Sequence, residues 1–242
     1  MPSPLDSLRV ILVSTRNPLN IGAAARAMSN FGFSRLRVVN PYELAWREAR
    51  SAVGAATLLA KAEEFPSVAD AVADCTLVVG TTAAHHRELH QPLRPLQEAA
   101  RLIRRHLGSG KVALLFGSEK RGLSNEDLSH CHWLTRIPTR EEHGSMNIGQ
   151  AVAVCLYELS RGSGSGKSSS KAVLAPAAEI ERITQLLLEI LPACGYLKPA
   201  ARPATHEKIR RLIRRLNIPA EDAEIWMGIA RQILWKIHNP QR

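Results

Sequence analysis

Apolar residues in the first two thirds of the chain come in short blocks, separated by stretches with helical spacing. Residues 8–14 (LRVILVS) are a run rich in branched side chains, as in a strand buried on both faces. Asn20 is placed to cap a following helix, in which Ile21, Ala24, Ala25 and Met28 share one stripe and which Gly32 ends. Residues 36–39 predict a second strand, stopped by Asn40 and Pro41, and weaker helical segments run on to residue 73. Residues 75–79 (CTLVV) predict a third strand, closed by Gly80, Thr81 and Thr82. A helix follows at 95–106, with Pro95 in its first turn, then a strand at 112–116 before Gly117 and a last strand at 133–137 before Pro138. From 147 to 159, Ile148, Ala151, Val152, Cys155, Leu156 and Leu159 fit one helical face, and Asn147 with Gln150 has capping-box spacing.

Strands alternating with helices predict an α/β fold, a mostly parallel sheet with helices on both faces. Ligands of such sheets bind outside the carboxyl ends of the strands, which directs attention to the loops at Gly80, Gly117 and Pro138.

The pattern then changes. Residues 162–171 (GSGSGKSSSK) have the composition of a flexible tether. Beyond it the periodicity is all-helical: a first helix at 179–191 before Pro192, and a second capped by Thr205. In the second, Ile209, Leu212, Ile213 and Leu216 form one stripe, and Lys208, Arg210, Arg211, Arg214 and Arg215 the other face. Glu221, Asp222 and Glu224 open a third helix, as its dipole favours. Its Trp226, Ile229, Ile233, Leu234, Trp235 and Ile237 spread around the axis, which predicts burial in a small bundle or against a partner. The expected division is an α/β domain at 1–161, a linker at 162–175 and a small all-helical extension at 176–242.

Composition narrows the class. Hydrophobic residues make up 45% and charged residues 22%, ordinary for a soluble globular protein. No apolar run approaches the roughly 18 residues of a membrane span, and the first residues lack the basic-then-apolar order of a secretory signal. Cys75, Cys131, Cys155 and Cys194 are scattered and read as reduced, mostly buried thiols, so a cytoplasmic location is expected. The net charge of +10 points to a polyanionic partner. Residues 200–242 carry a net +5, half of it, as a phosphate-contacting module would.

Two motifs are decoys. Gly166-Lys167-Ser168 ends like a P-loop, but the required first glycine is Arg161 and the segment follows a helix instead of a strand. His85, His86 and His90, and then His130, Cys131 and His132, lack the paired ligand spacing of a zinc site, so no metal is expected.

Three other segments form an ordered set. The first runs from Asn17 to Arg26 (NPLNIGAAAR), the second from Phe116 to Leu123 (FGSEKRGL), and the third pairs Ile137-Pro138 with Ser145-Met146-Asn147-Ile148-Gly149. Taken singly they fit a surface arginine, a turn and a helix cap. Together they resemble the SpoU, or TrmH-like, branch of the SPOUT RNA 2′-O-methyltransferases. Asn20, Gly22 and Arg26 match that family's N-x-G-x-x-x-R motif; Gly117, Glu119, Gly122 and Leu123 match G-x-E-x-x-G-L; Ser145, Met146 and Asn147 match S-L-N. Met146 stands where leucine is usual, and Gly149 where a small residue such as alanine is common.

The resemblance implies a trefoil knot at the end of the α/β domain and S-adenosyl-L-methionine as methyl donor. Carried over, the cofactor-binding positions are Thr81, Thr82, Ala83, Gly117, Ile137, Ser145, Met146 and Asn147. Glycine at 117 is expected to let the adenosine approach closely. The catalytic set is Arg26 with Asn20, Ser145, Asn147 and Glu119; Arg26 acts either as base or as electrostatic stabiliser, and an arginine pKa above about 12 favours the second. The family implies a homodimer, with each site completed by the neighbouring subunit. The start of the first motif near residue 17 and the basic helical extension resemble members that methylate the 5′-most nucleotide of the tRNA anticodon loop. Arg16, Lys208, Arg210, Arg211, Arg214 and Arg215 are then candidate RNA contacts. Ribosomal RNA, another tRNA position, and an inert RNA-binding protein of the same fold remain the alternatives.

Overall fold

The computed structural model describes residues 4–51, 56–83, 89–140, 145–161, 173–197 and 203–239. After a 3-10 turn at Pro4–Ser7 the chain forms β1 (Leu8–Val13), α1 (Pro18–Asn30), β2 (Leu36–Val39), α2 (Glu43–Ser51), α3 (Ala56–Ala60), β3 (Glu63–Phe65) and α4 (Val68–Ala71). Then come β4 (Leu77–Thr81), β5 (Leu93–Pro95), α5 (Leu96–Leu107), β6 (Val112–Phe116), α6 (Asn125–Ser129), β7 (Trp133–Arg136) and α7 (Ile148–Ser160). The seven strands form one sheet in the order β3-β2-β1-β6-β4-β7-β5, and every pairing is parallel.

The branched runs form central strands because both of their faces are covered. Leu8, Val10 and Leu12 pack with α1, α2, α5 and α7, while Ile11 and Val13 pack on the opposite side with α4 and α6. β3 and β5 escape the hydrophobic pattern: each is a three-residue edge strand, and Pro95 is tolerated there because an edge leaves one side of the backbone unpaired. α6 was equally hidden, a single short helix fixed by a capping box between Ser124 and Asp127.

The cap of α1 needs correction. Pro18 takes the first helical position and Asn17 is the N-cap, its side chain accepting from the Leu19 N–H at 2.9 Å. Asn20 lies inside the first turn and is buried, which frees its amide for other partners. At α7 Asn147 is the N-cap as expected, its Oδ1 accepting from the Gln150 N–H, but among the described residues no bond from the Gln150 side chain completes the capping box.

The carboxyl-terminal helices α8 (Ala177–Ala193), α9 (Pro203–Arg215) and α10 (Ala220–His238) share a core of Ile180, Ile183, Ile213, Ile218, Ala223 and Met227. They do not hang free of the α/β unit. The Ala177 and Ala178 N–H groups donate to the carbonyls of Cys75 and Ala73, and Arg210 Nη1 donates to Ser129 Oγ at 3.0 Å. The end of the expected linker is ordered too, since Ala175 N–H donates to Ile218 O and Ala220 N–H to Val173 O. Residues 162–172, like His85 and His86, lie outside the described residues.

Several expectations for these helices fail: α8 runs on through Pro192, and Thr205 lies inside α9 instead of capping it. The apolar residues of α10 are not wrapped in a bundle of their own chain: Trp226, Ile229, Ile233 and Trp235 are exposed, and only Ala223, Met227 and Ala230 are buried, so of the two expected settings burial against a partner remains. The stripe on α9 is also rotated, with Leu212 and Leu216 exposed and Arg214 enclosed at 1% exposure. Cys75, Cys131 and Cys155 are buried thiols, whereas Cys194 is exposed. Among the described residues no helix is long and apolar enough to cross a membrane.

Candidate functional site

A fully parallel sheet ends all its strands on one edge, and at that edge the segments after β4, β6 and β7 meet the start of α7. They enclose a cavity of about 390 Å³. Thr81, Thr82, Ala83, Gly117, Ile137, Ser145 and Met146 line it, joined by Glu119. Sequence reasoning passed over Lys120, Arg121, Thr135 and Thr139, which also line it, and named Leu123 only as a motif residue. Lys120 and Arg121 were in view as unspecified positions inside the second motif.

Asn147 and Asn20 stand behind this wall and tie the three motifs together. Asn147 Nδ2 donates to Asn20 Oδ1, and Asn20 Nδ2 donates to Glu119 Oε1 at 3.0 Å. Glu119 also accepts the N–H groups of Arg16 at 3.2 Å and Asn17 at 3.1 Å. Partial burial works against the Glu119 charge, but the Asn20 amide and these backbone donors outweigh it and hold the carboxyl below its ordinary range. An ionised Glu119 is therefore a clamp that fixes the entry to α1.

Gly117 is required by the packing of its own loop. A Cβ there would lie 2.0 Å from the Gly122 carbonyl carbon and 2.1 Å from the Leu123 nitrogen, so the loop's own return excludes a side chain. Gly122 makes that return with a φ of +65°. Gly149 likewise answers to packing, since a Cβ would meet Ala23 Cβ at 2.5 Å where α7 crosses α1.

Arg26 is exposed on α1 and does not line the cavity of its own chain. Among the described residues no hydrogen bond or ion pair engages its guanidinium. Of the predicted RNA contacts, Arg16, Lys208 and Arg215 are exposed. Arg210 is not available: its guanidinium grips Glu181 through Nε and Nη2 at 3.0 Å each. Arg211 pairs with Glu207 along α9 and is largely covered. Arg214 is sealed between the helices and the α/β unit, where burial lowers its pKa to about 10. Docking of α9 turns these three side chains inward, which helical periodicity alone assigned to the open face.

The histidine pair at this junction is structural. His132 Nδ1 accepts the Val78 N–H at 3.1 Å, and burial pushes both His132 and His130 down to about 3. Among the described residues no group of three or more His, Cys, Asp or Glu could hold a metal ion.

Fold and cavity together define an α/β protein with a small-molecule site at the carboxyl ends of a parallel sheet. The chain belongs to the SpoU rRNA Methylase family, whose family model matches residues 7–157. It is 32% identical over 235 residues to the tRNA (cytidine/uridine-2′-O-)-methyltransferase TrmJ of Pectobacterium atrosepticum, covering 95% of this chain and 97% of that one. It is 36% identical over 239 residues to the tRNA (cytidine/uridine/adenosine-2′-O-)-methyltransferase TrmJ of Pseudomonas aeruginosa, with 93% of each covered. The crystal structure of TrmJ from Z. mobilis superposes with a TM-score of 0.80 at 32% identity, over 93% of this chain and 98% of that one. The SpoU methyltransferase AviRb from Streptomyces viridochromogenes, solved in complex with AdoMet, is similar at 26% identity and a TM-score of 0.52, over 69% and 61%.

Proposed function

We propose that the protein is an S-adenosylmethionine-dependent tRNA 2′-O-methyltransferase whose target is the 5′-most nucleotide of the anticodon loop. The observation that carries this reading is that seven of the eight cofactor positions expected from the motifs line one cavity, with Glu119 beside them. Its volume of about 390 Å³ falls in the range of about 300–1,000 Å³ typical of small-molecule sites. Near full-length similarity to the two TrmJ enzymes supports the choice of tRNA.

S-adenosylmethionine supplies a methyl group made electrophilic by its sulfonium. Thr81, Thr82, Ala83, Gly117, Ile137, Ser145 and Met146 would hold it. The protein's own work is to orient the ribose hydroxyl, exclude water and stabilise negative charge as the 2′-oxygen loses its proton. Arg26 suits the last task as a permanent cation with a forked donor geometry. Arg26 is exposed and lies off its own cavity, which fits the homodimer the family resemblance implies, in which it would serve the cavity of a second copy. Asn20, Glu119 and Asn147 hold the three motifs in register. The same reading includes the trefoil knot; in support, the chain leaving β7 for α7 shares a cavity with the loops after β4 and β6. A tRNA substrate implies a cytoplasmic location.

The test is transfer of labelled methyl to in vitro tRNA transcripts. Incorporation that disappears on 2′-deoxy substitution at the 5′ edge of the anticodon loop supports the proposal. Incorporation elsewhere moves the target, and an absence of S-adenosylmethionine binding favours an inert RNA-binding protein.

A further inference from the structure

A second cavity lies against the first and is larger, about 1080 Å³. The two share residues 118–122 as a common wall. The second lies at the top of the usual range of small-molecule sites, roomy enough for an extended ligand.

Its charges are sorted in an unusual way. Arg16, Lys120 and Arg121 line it, all three exposed, and among the described residues no hydrogen bond or ion pair engages their side-chain cations. Among the described residues two carboxylates also line it, and both are occupied by the protein itself. Glu119 accepts from Arg16 N, Asn17 N and Asn20 Nδ2, and Asp127 accepts from the N–H and hydroxyl of Ser124 at 2.8 and 2.7 Å. Among the described residues, three free cations thus face a trough whose two acids already have donors. Unpaired cations on a concave surface focus the field and attract polyanions.

We propose that this trough holds the single-stranded RNA flanking the reacting nucleotide, with Arg16, Lys120 and Arg121 as its phosphate contacts. The proposal rests on the RNA methyltransferase reading and gives it a substrate path. A strand lying there runs along the wall of the cofactor cavity, which brings one ribose to its rim. Asn17, Ser124 and Asn125 supply polar groups for base edges, and among the described lining residues His90 supplies the one ring. Such a surface suits splayed loop nucleotides held by charge more than a stacked platform.

The experiment is fluorescence anisotropy of the full-length protein with an unmodified anticodon stem-loop transcript, titrated at several salt concentrations. Each phosphate contact to a single strand contributes about 0.7 to the slope of log affinity against log salt. Arg16→Ala, Lys120→Ala and Arg121→Ala should each reduce the slope by about that amount and weaken binding about fivefold. Asn125→Asp adds repulsion to the trough while placing an acid in the first turn of α6, where a helix tolerates it. It should weaken RNA binding and leave S-adenosylmethionine affinity and the melting temperature unchanged. Wild-type slope and affinity in Arg16→Ala and Asn125→Asp overturn the trough, whatever the enzyme does. Loss of slope with a wild-type protein that transfers no methyl keeps the trough and discards the methyltransferase reading.

Discussion

Asn147 donates its side-chain amide to the side-chain carbonyl of Asn20 at 2.6 Å, across 127 residues of sequence. The bond has a direction. Asn20 must turn its nitrogen to Glu119, and Asn147 must turn its oxygen to the Gln150 N–H. One relay of two amides therefore sets the start of α1, the second-motif loop and the start of α7. Asn20→Asp keeps the volume but sets a carboxylate against Glu119. Methyl transfer should fall roughly a hundredfold at neutral pH, for a cost of about 3 kcal/mol, and recover in part towards pH 5 as the pair shares a proton. A pH-rate profile parallel to wild type would contradict the relay.

At Gly117 the obstruction is backbone against Cβ, which no side-chain rotation relieves. Gly117→Ala should displace the return at Gly122 and Leu123, lower stability by about 2–4 kcal/mol and weaken S-adenosylmethionine binding more than tenfold. Calorimetric titration and thermal melts report both. Wild-type cofactor affinity would mean that the loop adapts freely.

The buried histidines make stability depend on pH. His130 and His132 have folded values of about 3 against an ordinary 6.5, so between those limits the unfolded chain binds protons that the native one does not. Stability is therefore complete above about pH 6.5 and declines as pH falls, by up to about 1.4 kcal/mol per pH unit for each imidazole. Urea unfolding at pH 7, 6 and 5 measures the slope, and His132→Gln should remove about one proton from it.

Arg210 and Arg214 separate a useful ion pair from a costly buried charge. Removing Arg210 strands Glu181, whose carboxyl is held low against burial by the Arg210 hydrogen bonds. Arg210→Ala should cost about 2–3 kcal/mol and loosen α9 from α6. Arg214 keeps Nε and Nη1 without hydrogen-bond partners, so Arg214→Met should be neutral or stabilising. Neither change should alter the salt dependence of tRNA binding, unlike Lys208→Ala.

The proposed sharing of the site between two copies predicts complementation. Arg26→Lys should abolish most turnover, because an ammonium lacks the planar fork. Mixed with Gly117→Ala at an S-adenosylmethionine concentration too low to fill that variant's cavity, Arg26→Lys should regain activity, since a mixed dimer carries one intact cavity facing one intact Arg26. Two inactive partners that stay inactive when mixed would place both groups in one subunit's site.

Much of this was legible in the residues alone. The runs at 8–14, 36–39 and 112–116 predicted strands because burial on both faces leaves a nearly continuous apolar signature, and the second and third motifs named part of the lining of the cavity before it was seen. Edge strands β3 and β5 left no such mark. Asn20 looked like a cap because asparagine at a helix start is a local signal, and its true partners come from chain segments about a hundred residues away.

What the sequence determined by itself was local: which segments coil or extend, since backbone sterics and the spacing of apolar side chains act among near neighbours. What the tertiary structure alone decided was which surfaces meet. Arg214 belongs to the polar face of α9 by periodicity and to the interior by docking, and Arg26 is part of the motif yet lies off its own cavity. Those outcomes depend on chain closure over long separations, which no local pattern encodes.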